Sequence, residues 1–279
     1  MCTFTVVALS ADVAGGAPAA PAASFGGFRI AFNRDESRRR PAGLPPVERV
    51  YGPRRALLPI DPVSDGGWIG VNDAGLALAL LNVYAPPPAS TTRESPPADD
   101  PAVRPWTTSS AHGRLSRGGI IPGLLHLTTA AEVAAALRRL ALADYPPFRV
   151  VATDALGEIR DLYSDARTLR LGTVHVRDGP LLLTSSGLGD GVVDPPRRRL
   201  FEETVYGAMD PLAAQATYHR HSWPDARHLS VCMSRADART VSHTTIDVTR
   251  ELVAIEYWPE APDQSPASIR RALPREAVV

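Results

Sequence analysis

Cysteine at position 2 sets a thiol one peptide bond from Met1. So small a second residue permits removal of Met1, and removal leaves a thiol and a free α-amine on one residue. An α-amine titrates at about 7.7–8.0 and a thiol at about 8.5, so near neutral pH the amine is able to take the proton of its own thiol. N-terminal threonine nucleophiles use the same arrangement. The expected chemistry is attack of the Cys2 sulfur on a carbonyl carbon. The competing reading is that Cys2 packs as a small apolar residue, the commoner fate of a lone cysteine.

Composition narrows the alternatives. All thirty basic residues are arginine. Without lysine the chain has no P-loop lysine, no Schiff-base lysine and no Ser-Lys dyad, so the terminal α-amine is the amine on offer. Thirty acidic residues balance the charge to zero, which argues against a protein built to neutralise a phosphate backbone, and nucleic acid is not an expected partner. Two cysteines, Cys2 and Cys232, make neither a disulfide scaffold nor a thiolate zinc site. No stretch of eighteen uncharged apolar residues suggests a membrane span. No basic segment opens the chain as a signal peptide would, which predicts the cytoplasm.

Asparagine occurs at positions 33, 72 and 82 alone. Asn33 and Asp35 follow a strand candidate, Phe28 to Phe32. A carboxylate there is placed to hold a protonated α-amine, and an amide is placed to donate to an oxyanion. Turn formation is the ordinary alternative for both. Asn82 ends the apolar run Ala77 to Leu81 with no glycine after it, so a buried amide there needs a partner or a task.

Other signals are weaker. His219, His221 and His228 form the densest histidine group, but no cysteine or acidic pair joins them at ligand spacing, so no metal or cofactor is expected. The runs Arg38 to Arg40 and Arg197 to Arg199 read as solvated faces. Ser185-Ser186-Gly187-Leu188-Gly189 has the wrong order for a nucleophile elbow and lacks the glycines of a dinucleotide fingerprint.

The elements that must position these residues read as strands at Thr3–Leu9, Phe28–Phe32, a hairpin around Asn72 to Gly75 that continues from Leu76 to Val83, then Phe148–Thr153, Ile159–Tyr163, Leu169–Val176 and Leu181–Thr184. Further strands are expected at Ser230–Met233, Thr240–Val248 and Leu252–Tyr257. Helices are expected after Thr128-Thr129, through Ala130 to Leu140, from Pro195-Pro196 through Val205, and near Leu212 to Tyr218. The passage from Arg38 onwards is Pro-rich, the stretch 85–106 reads as an exposed loop able to act as a specificity lid, and the tail from Pro259 reads as peripheral. The pattern predicts one α+β domain over residues 1–279, with helices covering antiparallel sheets.

Taken in order, Met1-Cys2-Thr3, Asn33-Arg34-Asp35-Glu36, Gly66-Gly67-Trp68-Ile69-Gly70-Val71-Asn72 and Gly75 through Asn82 resemble the NRDE family, as do Arg117-Gly118 and Thr184-Ser185-Ser186 ahead of Pro196-Arg197-Arg198. Most of the chain is covered. The resemblance implies an N-terminal-nucleophile fold, an αββα sandwich, with more distant similarity to penicillin V acylases and bile-salt hydrolases. It implies Cys2 as nucleophile, Asp35 as support of the α-amine and Asn82 as oxyanion donor. A late catalytic arginine falls at Arg239 or Arg235, and Asn33, Arg34, Trp68 and Ser186 become candidates for contact with substrate. Two departures stand out: Phe32 or Asn33 occupies the place of an arginine before the Asp, with Arg34 as a substitute, and Ser185 or Ser186 stands where the acylases carry a second Asn. The expected activity is cleavage of a linear amide in a small molecule through a Cys2 thioester, or acyl transfer to an amine. The alternative is a non-catalytic haem-handling or small-ligand protein, as is associated with some family members.

Overall fold

The computed structural model describes residues 2–10, 25–84, 115–264 and 267–276. In chain order, its strands are β1 (Cys2–Ser10), β2 (Phe25–Ser37), β3 (Leu44–Tyr51), β4 (Arg54–Ile60), β5 (Ile69–Asn72), β6 (Ala77–Asn82), β7 (Phe148–Thr153), β8 (Glu158–Ser164) and β9 (Leu169–His175). β10 (Leu181–Ser185), β11 (Ala238–Thr249), β12 (Leu252–Trp258) and β13 (Ile269–Pro274) follow. The α-helices are α1 (Ile120–Leu124), α2 (Ala130–Leu137), α3 (Asp190–Thr204) and α4 (Pro211–Arg220). All pairings between these strands are antiparallel, in a six-stranded sheet of order β10-β1-β2-β11-β12-β13 and a seven-stranded sheet of order β3 to β9.

Alternation along the strands builds the layers, because successive side chains point to opposite faces. Phe4, Val6, Ile30 and Phe32 of the six-stranded sheet meet Leu57, Ile69, Ala79 and Leu81 of the seven-stranded one. On the far side of the larger sheet, Leu58, Leu78, Leu80 and Val150 pack on Ile121, Val133 and Leu137 of α1 and α2. On the far side of the smaller, Val7 and Leu182 pack on Phe201 and Tyr218 of α3 and α4. The order is therefore helix, sheet, sheet, helix, the α+β layering expected from the sequence. β1 is buried on both faces from Cys2 to Val7, which is why its apolar run shows no polar alternation beyond threonine. Each fully buried large side chain in these layers contributes about 1.5–3 kcal/mol. Among the described residues no helix is long and apolar enough to cross a membrane.

The Thr129 cap forms as expected: its hydroxyl accepts from the Glu132 N–H at 3.1 Å while Glu132 Oε2 accepts from the Thr129 N–H at 2.9 Å. Two expectations need correction, and two passages given no strand from sequence contain strands. Pro195 and Pro196 do not open α3; they lie inside it, one turn after Asp190. The N–H groups they lack would have bonded the carbonyls of Gly191 and Val192, which are exposed and open to water. Ser230–Met233 is no strand, because its carbonyls serve side chains: Arg197 donates to Ser230 O at 2.6 Å and Asn33 to Val231 O at 3.0 Å. The Pro-rich passage holds the hairpin β3–β4 with a bulge after Leu44 where the prolines fall, and the tail contributes β13, an edge strand where two arginines and a proline are tolerated. The reading of the 85–106 loop lies outside the described residues, as does the 11–24 part of the β1–β2 connection.

Candidate active site

Cys2 lies opposite Arg34 of β2 on one side and Ser185 of β10 on the other, so the first described residue sits in the interior of a sheet. Its side chain shares the inter-sheet face with Phe4 and is 6% exposed. Burial pushes the thiol up to about 11, against the opposing pull of the Asp35 backbone N–H and Arg34. A thiol held so far above neutrality is almost wholly protonated, and attack by its sulfur requires a local base to take the proton. Cys232 is also buried, and burial raises it to about 12.

Asp35 follows Arg34 and so faces the other side of the sheet. Its Oδ1 accepts from Thr240 Oγ1 at 2.6 Å. Burial raises the pKa of its carboxyl, with the charge of Arg197 opposing. Arg197 was expected on a solvated face; it is 0% exposed instead. Its guanidinium donates to Leu229 O at 2.9 Å, Thr3 Oγ1 at 2.8 Å and Ser230 O at 2.6 Å, so three fixed acceptors hold a cation behind β1. The arginine run contains nothing to single it out; only its position in α3, with Val193 and Phe201 at four-residue spacing on the buried face, does.

Asn82 ends β6 in the opposite sheet. Ser185 Oγ donates to its carbonyl at 2.6 Å, which ties the end of β6 to the strand beside Cys2. The Asn82 side chain is hydrogen-bonded to Tyr84, and burial followed by the proximity of Cys2 raises the pKa of that phenol. Arg117, whose Nη1 donates to Pro147 O at 2.8 Å, carries a pKa lowered by burial and is felt by both Tyr84 and Cys2. Its segment is held close by glycine: a Cβ on Gly66 would stand 2.2 Å from Gly118 O. Tyr84, Arg117 and Ser185 were not singled out as contacts from sequence, although Ser185 was one of two candidates. Strand parity separates the two serines. Ser185 shares the inward face with Leu183, whereas the Ser186 hydroxyl accepts from Leu188 N–H at 3.1 Å in the following turn.

The remaining candidates are scattered around this centre. Arg34 is buried, donates to Asp61 Oδ2 at 3.0 Å and lies 4.2 Å from the Trp68 ring centroid. Its Nη1 and the Trp68 indole N–H, both buried, have no hydrogen-bond partner among the described residues. Asn33 does not line a substrate space. Its Nδ2 donates to His219 O at 2.9 Å and Val231 O at 3.0 Å, and its Oδ1 faces Nδ1 of both His219 and His243 at 3.0 and 2.8 Å. Two donors and two lone pairs are all an amide has, so nothing remains for a ligand. Arg235 pairs with Asp237 at 2.6 Å and its charge reaches Asp35. Arg239 is exposed, across from Glu36. Asn72 secures the β5–β6 turn, donating to Leu125 O and Leu127 O and accepting from Leu76 N–H, with Gly75 at φ +87°.

No family model and no curated protein matches this chain. Among solved structures it is similar to penicillin V acylase from Agrobacterium tumefaciens, at 14% identity and a TM-score of 0.49 over 97% of this chain and 85% of that one. A Caenorhabditis elegans N-acylethanolamine-hydrolyzing acid amidase ortholog matches at 13% identity and a TM-score of 0.49, over 87% of this chain and 92% of its own. A variant of conjugated bile acid hydrolase from Clostridium perfringens matches at 12% and 0.45, over 99% and 98%. Every one of these TM-scores is below 0.5, and the geometry above stands without them.

Proposed function

We propose that the protein is a cysteine N-terminal-nucleophile amidohydrolase of the NRDE type, one domain acting on a linear amide of a small molecule. The observation that carries this reading is the convergence on Cys2: strands β1, β2 and β10 of one sheet bring the thiol, Arg34 and Ser185 together, and Ser185 binds the end of β6, where Asn82 lies, from the other sheet. With Met1 removed, the α-amine of Cys2 takes the thiol proton as sulfur bonds to the amide carbon. Asn82 and a backbone N–H hold the oxyanion, Tyr84 orients the Asn82 amide, and Asp35 with Arg197 behind it sets the charge around the amine. Collapse breaks the C–N bond, and the ammonium returns its proton to the leaving nitrogen. Water then adds to the thioester, the same amine taking its proton, and the acid departs as the thiol re-forms. An amine in place of water makes the reaction an acyl transfer.

Burial disfavours a standing thiolate at Cys2, and a neutral amine on the same residue acts without the desolvation of a buried anion beforehand. Arg34 Nη1 and Trp68 Nε1 are donors with capacity left for the acyl part of a substrate. Arg239 stands at the exposed rim, and Arg235 acts through Asp35.

Intact-mass and peptide mass spectrometry of the purified protein, with and without a thiol-acylating probe, tests the proposal. Met1 is expected to be absent, the acyl group to sit on Cys2, and turnover of an amide panel to vanish in Cys2→Ala with the melting temperature retained. Retention of Met1 on active protein, or a label confined to Cys232, defeats it.

A further inference from the structure

The outer face of the six-stranded sheet holds a second site. α4 lies over β1 and β2, and beyond it a cleft of about 200 Å³ opens over β11 and β12, with Gln215, Ala216 and Arg220 on the helix side and His243, Glu256 and Trp258 on the sheet side. The hydrogen bonds beneath it settle which way the Gln215 amide points. Two backbone carbonyls hold the Asn33 Nδ2, so Asn33 Oδ1 faces both histidines and each must donate from Nδ1. A neutral His219 then has an acceptor at Nε2, and the Thr5 hydroxyl, 2.8 Å away, gives it its proton. Thr5 Oγ1 has no proton left, so it accepts from Gln215 Nε2 at 2.8 Å. Gln215 Oε1 is thereby turned away from the network. It has no partner, on a residue 1% exposed.

A buried amide oxygen without a donor is destabilising, and a ligand N–H would supply the missing hydrogen bond. The charges around it are of both signs. Arg29 also lines the cleft but is occupied by Asp247, at 2.5 and 2.7 Å. Arg220 and Glu256 form no ion pair among the described residues, and Glu256 uses one oxygen for Ser268 at 2.6 Å. Trp258, tilted at 44° on His243 with ring centroids 5.1 Å apart, gives an apolar wall.

We propose that this cleft binds a small zwitterion, an apolar α-amino acid whose ammonium meets Gln215 Oε1 and Glu256, whose carboxylate meets Arg220 and whose side chain lies against Trp258. The site is independent of Cys2, and binding is read without any turnover. Saturation-transfer NMR on the full chain, with L-leucine, isovalerate and isoamylamine as probes, separates the contributions. Leucine is expected to bind at least ten-fold more tightly than either single-charge analogue. Arg220→Ala, at an exposed position, is expected to weaken leucine about ten-fold and to leave isoamylamine unchanged; Glu256→Gln is expected to weaken isoamylamine and leave isovalerate unchanged; Ala216→Phe, with unfolding monitored, is expected to abolish binding of all three. No transfer to leucine, equal affinity for the three probes, or unchanged leucine affinity in Arg220→Ala overturns the proposal.

Discussion

At the Cys2 end of β1 and β2 the six-stranded sheet carries polar residues on both faces, and the two faces use them in opposite ways. Behind the sheet, Asn33, His219, Thr5 and Arg197 spend their hydrogen-bonding groups on one another and on the carbonyls of a bent segment. Between the sheets, Arg34 and Trp68 keep buried donors without described partners beside a protonated thiol. Saturated groups set the shape of a protein, since removing one strands its partners; unsaturated groups leave capacity that a ligand can fill. By that criterion the inner face is the place for chemistry and most of the outer face is framework, the cleft at Gln215 being the exception.

The contrast is open to measurement. The largest expected effect is on the inner face: Cys2→Ala removes the proposed nucleophile and is expected to lower amide turnover by roughly 10³-fold or more, with little change in unfolding midpoint. Activity surviving at one tenth would erase the distinction. Asn33→Leu on the outer face should do the reverse to stability, costing about 3 kcal/mol or more in urea unfolding because two carbonyls and two imidazole N–H groups lose their partner in a buried layer. A cost under about 1 kcal/mol would mean that the framework is looser than its geometry.

Acid provides a third probe. Burial lowers the pKa of His219 well below its usual value and that of His243 to about 3, so between pH 6.5 and that range the unfolded chain binds protons the folded one does not. Stability is therefore expected to fall as pH drops below 6.5, by up to about 1.4 kcal/mol per pH unit for each histidine. Asp35, raised by burial, works in the opposite sense, its folded-state penalty easing as it protonates. A flat profile from pH 7 to 4.5 in the wild type, or an unchanged slope in His243→Gln, would contradict the neutral pair. The smallest effect belongs to Arg239→Ala: at an exposed rim position, stability is expected to move by less than about 0.5 kcal/mol, and a larger loss would mean that Arg239 is packed.

Much of the architecture was legible because it rests on local signals. Short apolar runs such as Leu181 to Thr184 and the Thr129–Glu132 capping box report their own conformation. The failures have different causes: β13 carries two arginines and a proline that a strand accepts only at a sheet edge, here beside the neighbouring β12, whereas the Ser230–Met233 segment depends on Arg197 and on Asn33 far away in the chain. Composition made the Arg197 to Arg199 run look solvated, whereas helix phase buries one of the three. The same limit applies to the site. Cys2, Asp35 and Asn82 stand out by type and position, but Asn33 differs from Asn82 only through the neighbours it meets, Ser185 is set beside Cys2 by strand register, and Tyr84 is marked by its contact with the Asn82 side chain.

The central place of β1 also bears on how the molecule is made. Cys2 acquires its two neighbours at very different times: β2 follows after one connection, whereas β10 ends at Ser185 and the flanking β11 closes only at Thr249. Contacts such as that between Thr5 and Gln215, 210 residues apart, give the sheet a high contact order and slow assembly. During synthesis the thiol at position 2 remains open to solvent until most of the polypeptide has emerged, so oxidation of Cys2 is a hazard of the nascent chain and of refolding more than of the finished protein.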